Sequence, residues 1–157
     1  MSSLLALGAC DLPRDMRGTL QEVRGKTLRA GVSEHAPWIV RDAAAPSGIE
    51  AELVERFAAR LGARVSFTWG SEHRLIERLE HRELHLVAAG LDDESPWVEN
   101  VGFTRPYLET PAETAQGPSV RRHVLAVPPG ENAWLRELES FLREERPRIR
   151  EDAKTPR

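Results

Sequence analysis

SGIEAELVERFAARLGARVSFTWGSEHRLIERLEHRELHLVAAG, residues 47–90, holds two successive turns of one repeating unit, a helix followed by a strand. Ile49, Leu53, Phe57 and Leu61 recur every four residues with Val54 and Ala58 beside them, so one face is apolar while Glu52, Glu55 and Arg60 stay in water. Ser47 and Glu50 stand at the capping-box spacing, which predicts the helix start, and Gly62 supplies the stop. From Ala63 the period falls to two. Ala63, Val65, Phe67 and Trp69 share one side and Arg64, Ser66 and Thr68 the other, the pattern of a strand with one buried face. A second helix follows, with Ser71 as cap and Leu75, Ile76 and Leu79 inward. Residues 84–90, LHLVAAG, are apolar almost without a break, which suits a central strand covered on both sides.

Working outward, TLRAGV at residues 27–32 alternates Leu28, Ala30 and Val32 as a first strand and ends in a polar loop, residues 33–48. The order strand, helix, strand, helix, strand makes right-handed crossovers the economical solution, so the expected architecture is α/β, a three-layer sandwich with a mainly parallel sheet. Residues 91–119 are acidic and rich in proline and glycine, which argues for loops and at most a short edge strand at 101–104. Residues 123–127 read as the last strand, and Asn132 as the cap of a helix carrying Trp134, Leu135, Leu138, Phe141 and Leu142 inward. The domain is therefore expected over 26–144, after a leader at 1–10 and a linker at 11–25, with a charged, disordered tail at 145–157.

Composition excludes several classes. A chain of 157 residues makes one domain that buries about two thirds of its unfolded surface. With 22 basic and 25 acidic residues the net charge is -3, so bulk electrostatics imply neither nucleic acid nor an anionic membrane surface. No run approaches transmembrane length. The single cysteine, Cys10, excludes an internal disulfide framework and any multi-cysteine metal site. Among 5 histidines, His81 and His85 are four apart, but the helix should end between them. Without HExxH, CxxC or a Gly-x-Ser-x-Gly elbow, neither a metal, a cofactor nor a nucleophilic catalyst is expected.

The segments LRAGV, APW, SGIEAELVERFAARLG, LIERLEHRELHLVAAGL and VGFTRPY, in this order, resemble the first lobe of type II periplasmic solute-binding proteins of the polar-amino-acid kind, family 3, which serve ABC transporters. The resemblance spans residues 28–107 and resumes over 123–143. It implies a receptor, not an enzyme, that closes two lobes on a small solute. A few relatives are dehydratases with a glutamate general acid, for which Glu34 would be the candidate, but they too need both lobes. Two departures stand out. In the family the FTRPY-like segment leads through a hinge into a second lobe, whereas here only fifteen residues, 108–122, precede the returning strand. The arginine that pairs with a ligand carboxylate after the LHLVAAG-like strand is also missing, and Trp97 falls in its place.

Ligands of open parallel sheets gather at the carboxyl ends of the strands, which nominates Glu34, His35, Trp38, Trp69, Gly90, Asp92 and Asp93. Trp38 matches the family's aromatic that stacks on the ligand. Glu34, Asp92, Asp93 and Glu94 would make the rim acidic and favour a small polar or cationic solute. Trp38, Trp97 and Tyr107 are expected to stay exposed where the second lobe would have sat, as a partner surface. Two readings follow: a one-lobe solute receptor, alone or in a homodimer that supplies the missing jaw, or a periplasmic interaction module accessory to a transporter or envelope complex.

Residues 7–10, LGAC, resemble the lipobox of bacterial lipoproteins, with Cys10 as the lipidated residue. Asp11 after it resembles an inner-membrane retention signal, which implies an inner-membrane-anchored periplasmic lipoprotein touching the membrane only through lipid. The nine residues before Cys10 hold no Lys or Arg and are shorter than a signal peptide, so an upstream start or a merely apolar N-terminus both stand as readings.

Overall fold

A computed structural model describes residues 15–155. Helix α1 (Thr19–Val23) leads into β1 (Thr27–Val32), α2 (Ile49–Arg60), β2 (Arg64–Trp69), α3 (Glu72–Glu80) and β3 (Leu86–Ala88). A short 3-10 turn at Pro96–Glu99 and β4 (Gly102–Phe103) precede a hairpin of β5 (Leu108–Thr114) and β6 (Gly117–His123), and the chain closes with β7 (Ala126–Val127) and α4 (Asn132–Lys154). The main sheet has the order β2-β1-β3-β7-β4. Its first three strands are parallel, while β7 runs antiparallel to both β3 and β4.

Alternation along the strands builds the layers. Leu28, Ala30 and Val32 of β1 and Leu86 and Ala88 of β3 face one core, shared with Phe57 of α2 and with Trp134, Leu138 and Phe141 of α4. Val87 between them faces a second core with Leu75, Ile76 and Leu79 of α3. The expected three-layer α/β sandwich is therefore present. β1 lies between β2 and β3, so the two crossovers run in opposite directions and put α2 and α3 on opposite faces.

Several local expectations are corrected. Ser47 and Glu50 do not form a capping box: Gly48 is the N-cap residue of α2, with no side-chain cap. The carbonyls of Pro37 and Trp38 accept the Ile49 and Glu50 amides at 3.2 and 2.9 Å, so backbone meets the need that Ser47 was assigned. Gly48 has φ 102, and a Cβ there would lie 2.7 Å from both of those carbonyl oxygens. Ser71 holds the N-cap position of α3 but makes no side-chain cap bond. Glu131, not Asn132, is the N-cap residue of α4.

Residues 108–119, expected as loop, form most of a hairpin that pairs residue for residue from Leu108↔His123 to Thr114↔Gly117. The pattern was hidden because both strands are largely exposed and carry prolines at 111 and 118. His123 accordingly ends β6, and only Ala126 and Val127 of the expected last strand join the main sheet.

The disordered tail is also corrected: α4 runs 23 residues to Lys154, through Pro147. Ile149 is fully buried in the α2 core and Ala153 packs against it. Arg56 of α2 lies 3.0 Å from Glu145, and Asp152 stands 3.9 Å away. Charge density in the sequence hid a helix end whose inward residues, Ile149 and Ala153, are few.

The described part of the expected linker belongs to the domain. Thr19 and Val23 are buried. Asp15 accepts the Trp134 amide at 2.8 Å and the Leu20 amide at 2.9 Å, serving two helix starts at once. Buried Glu131 accepts the Thr19 and Arg17 amides and pairs with Arg82 at 2.6 Å. Burial alone would raise its pKa, but these bonds and the Arg82 charge hold it below the usual carboxylate range. Asp15→Ala should lower stability by about 1–2 kcal/mol in urea titrations. An unchanged midpoint would return residues 15–25 to linker status.

Candidate functional site at the carboxyl ends of β1 and β3

The chain leaves β1 in one direction and reaches β3 from the other, so a topological switch point lies between these two strands. Open α/β sheets bind ligands in the crevice outside the carboxyl ends of such strands. The loops that flank it, residues 33–39 and 89–93, carry most of the nominated residues.

The first loop is tightly tied. The His35 amide donates to the Ile39 carbonyl at 2.8 Å, and the Trp38 amide donates back to the His35 carbonyl at 2.8 Å. His35 itself is exposed, and its ring lies against Gly90. Gly90 has φ 64, and a Cβ there would meet the His35 ring at 2.7 Å. The two residues thus make the centre of the rim.

Beneath it lies a network that sequence reading missed. Glu50 is fully buried, and its two carboxylate oxygens accept the Gly90 amide at 2.9 Å and the Tyr107 hydroxyl at 2.6 Å. Burial outweighs both bonds and pushes the Glu50 pKa up to about 7, while burial first and the Glu50 charge second push Tyr107 well up. The Tyr107 amide donates to the His123 carbonyl at 3.0 Å. The His123 ring stacks on Trp38 with centroids 3.9 Å apart and shares a hydrogen bond of 2.8 Å with Thr110 through Nε2. Burial, helped by the Arg121 charge and opposed by Asp92, brings the His123 pKa down to about 4. The only sequence signal for this network was a glutamate on the apolar side of α2, which the capping-box spacing explained away.

Trp38 and Tyr107 are only 6% and 2% exposed, so the expected exposed aromatic face is not there. His123 and Glu50 have drawn both rings inward. Trp97, the third member, is half-buried against the α3 core and donates through Nε1 to Glu72. It thereby lies with α3 and not over the rim.

The acidic rim is also largely compensated. Glu34 lies 3.6 Å from Arg41, whose guanidinium covers the Trp69 ring at 3.9 Å. Asp92 pairs with Arg121 at 3.2 Å and Asp93 with Arg122 at 3.6 Å. Sequence order shows no basic residue between Arg82 and Arg105, but the hairpin returns two arginines to this loop. The rim is thus a ring of paired charges around His35 and Gly90, able to offer carboxylates to a cation and guanidinium groups to an anion. Among the described residues no group of three or more His, Cys, Asp or Glu could hold a metal ion.

Residues 28–148 match the family described as bacterial extracellular solute-binding proteins, family 3. The chain belongs to this family. This family-3 lobe also resembles solved structures. Domain 1 of TmArgBP in its arginine-bound form shares 24% identity over 78% of this chain and 95% of that one, with a TM-score of 0.66. A Salmonella typhimurium periplasmic binding protein with high arginine specificity shares 16% over 84% and 100%, with a TM-score of 0.70. The ancestral amino acid-binding protein AncCDT-1, a precursor of cyclohexadienyl dehydratase, shares 14% over 88% and 99%, with a TM-score of 0.73. Among curated proteins no sequence matches. At these identities the structures establish the fold: one lobe of a type II periplasmic binding protein. The β5–β6 hairpin, closed by Ala115 and Gln116, follows directly on the FTRPY segment.

Proposed function

We propose that this family-3 lobe is a receptor for a small polar or cationic solute, held at the rim formed by Glu34, His35, Trp69, Gly90, Asp92 and Asp93. The observation that carries the reading is the switch point between β1 and β3, with Gly90 and His35 in contact across it. Trp38 takes a supporting place, holding His123 and the rim loop instead of stacking on solute. The arginine-bound and amino acid-binding relatives support a solute with an ammonium or guanidinium group, for which Glu34 and Asp92 would exchange their present arginine partners. Arg121, released from Asp92, supplies the partner for a solute carboxylate that position 97 lacks.

Family membership supports export to the periplasm and a role beside an ABC transporter. Lipid anchoring through Cys10 falls outside the described residues and stays part of this proposal. No catalytic role is assigned to Glu34, which is exposed and paired with Arg41.

A thermal-shift series with arginine, lysine, polyamines and neutral sugars tests the reading. At a hundred times its dissociation constant a ligand adds about 2.7 kcal/mol, a rise of several degrees. A cationic member should give this rise, and Asp92→Asn should abolish it without lowering the ligand-free melting temperature by more than about 2 °C. Silence across the whole series from a folded protein would favour the interaction-module reading.

A further inference from the structure

A second concave site lies elsewhere on the lobe. A cavity of about 870 Å3 opens between β5 and the end of α4, and none of the rim residues lines it. That volume falls in the range that encloses a small organic ligand. Leu108 and Ala153 give it an apolar wall. Its charge is one-sided: among the described residues, Arg122, Arg146, Arg150 and Lys154 line it against a single carboxylate, Glu109, which stands 3.5 Å from Arg122.

Arg146, Arg150 and Lys154 follow one another at four-residue intervals on α4, so they share one stripe of the helix and repel one another. Their compensation is thin. Arg146 donates to the Pro106 carbonyl at 3.3 Å, and Lys154 has Glu151 at 3.6 Å with both side chains largely in solvent. Arg150 makes no ion pair among the described residues. Elsewhere on α4, by contrast, Glu137 and Glu144 both pair with Arg60. Guanidinium groups left uncompensated beside an apolar wall fit an anion that brings its own apolar body.

We propose that this cavity is a binding site for an anionic amphiphile, with a phosphate or carboxylate head held by Arg146 and Arg150 and a short apolar chain laid on Leu108 and Ala153. Arg122 at the cavity edge also pairs with the rim's Asp93 at 3.6 Å, whereas Arg146 and Arg150, which hold the head, make no ion pair with a rim residue among the described residues.

Calorimetric titration of the full chain at low ionic strength, with each amphiphile below its micellar concentration, tests it. The probes are octyl phosphate, octanoate, octyl glucoside and inorganic phosphate. At least one of the two octyl anions should bind one per chain, and the tighter of them identifies the head group. Octyl glucoside, which lacks the charge, and inorganic phosphate, which lacks the chain, should each bind at least about tenfold more weakly. Reversing the charges in the double variant Arg146→Glu, Arg150→Glu should weaken the octyl anion at least about tenfold. Ala153→Trp should do the same by filling the space, and the far-ultraviolet dichroism of each variant reports whether α4 is intact. Equal binding of octyl glucoside and the octyl anions, unchanged affinity in the charge-reversed protein, or no binding of either anion would each overturn the proposal.

Discussion

Trp134→Ala should lower the unfolding free energy by about 3–5 kcal/mol, the range for truncating a large buried aromatic. Trp134 is fully buried at the first turn of α4, its ring 5.2 Å from Phe57 across the core. Its indole N–H donates to the His85 carbonyl at 2.7 Å, so the alanine variant also leaves a buried acceptor unpaired. His85 is itself a hub: Nδ1 accepts the Arg29 amide at 3.0 Å, which leaves Nε2 to donate to Glu22. Burial and then the Arg29 charge lower the His85 pKa against the pull of Glu22, in keeping with a neutral ring. Trp134→Phe keeps most of the ring and should lose only about 1–3 kcal/mol, chiefly for the orphaned carbonyl. Urea midpoints compare the two. An alanine variant within about 1 kcal/mol of the parent would mean that α4 does not close this core.

Glu50→Gln should change how stability depends on pH. The folded-state pKa of Glu50 is about 7, above the ordinary 4.5, because the carboxyl is buried. Below pH 4.5 it is protonated in both the folded and the unfolded chain. As pH rises toward 7 the unfolded chain releases the proton while the folded chain keeps it, so stability falls, and above 7 the loss is constant. At about 1.4 kcal/mol per unit the full loss is on the order of 3 kcal/mol. Glutamine cannot ionise, so the variant should gain on the parent by up to about that amount between pH 4.5 and 8. His123 acts in the opposite direction. Its folded pKa of about 4 lies below 6.5, so its contribution is complete above 6.5 and disappears as pH falls toward 4. Both proteins carry His123, and the difference between them isolates Glu50. Urea midpoints at several pH values measure it, and a difference that stays flat would contradict the account of this carboxyl.

The sandwich could be read before any coordinates because its signals are local. A four-residue apolar repeat, a two-residue alternation and an unbroken LHLVAAG strand each arise from burial on one face or two, and α2, β2 and β3 formed where these patterns predicted. The hairpin could not be read this way: β5 and β6 face water on most positions, and their pairing comes from register and a tight turn, not from apolar alternation. The end of α4 was lost for a related reason, since Ile149 and Ala153 are the sparse inward residues of an otherwise charged helix.

The rim loops were nominated from strand order, and Trp38 also from the resemblance; the structure sets His35 against Gly90 and joins Asp92 and Trp38 through His123. What lies under them depended on contacts across 40 and 57 residues, Glu50 to Gly90 and Glu50 to Tyr107, which no spacing rule anticipates. The charge balance of the rim likewise depended on Arg121 and Arg122 returning with the hairpin.

The most direct test of the central claim, that one lobe binds solute at the β1–β3 switch point, is an amide NMR titration of the 15N-labelled chain with arginine. The account predicts saturable shifts confined to residues 33–39, 69–71 and 89–93 and the Arg121 side chain, with the Gly90 amide among the largest because it joins the rim to Glu50. Shifts absent from these loops at saturating solute, or spread evenly over the surface, would contradict it.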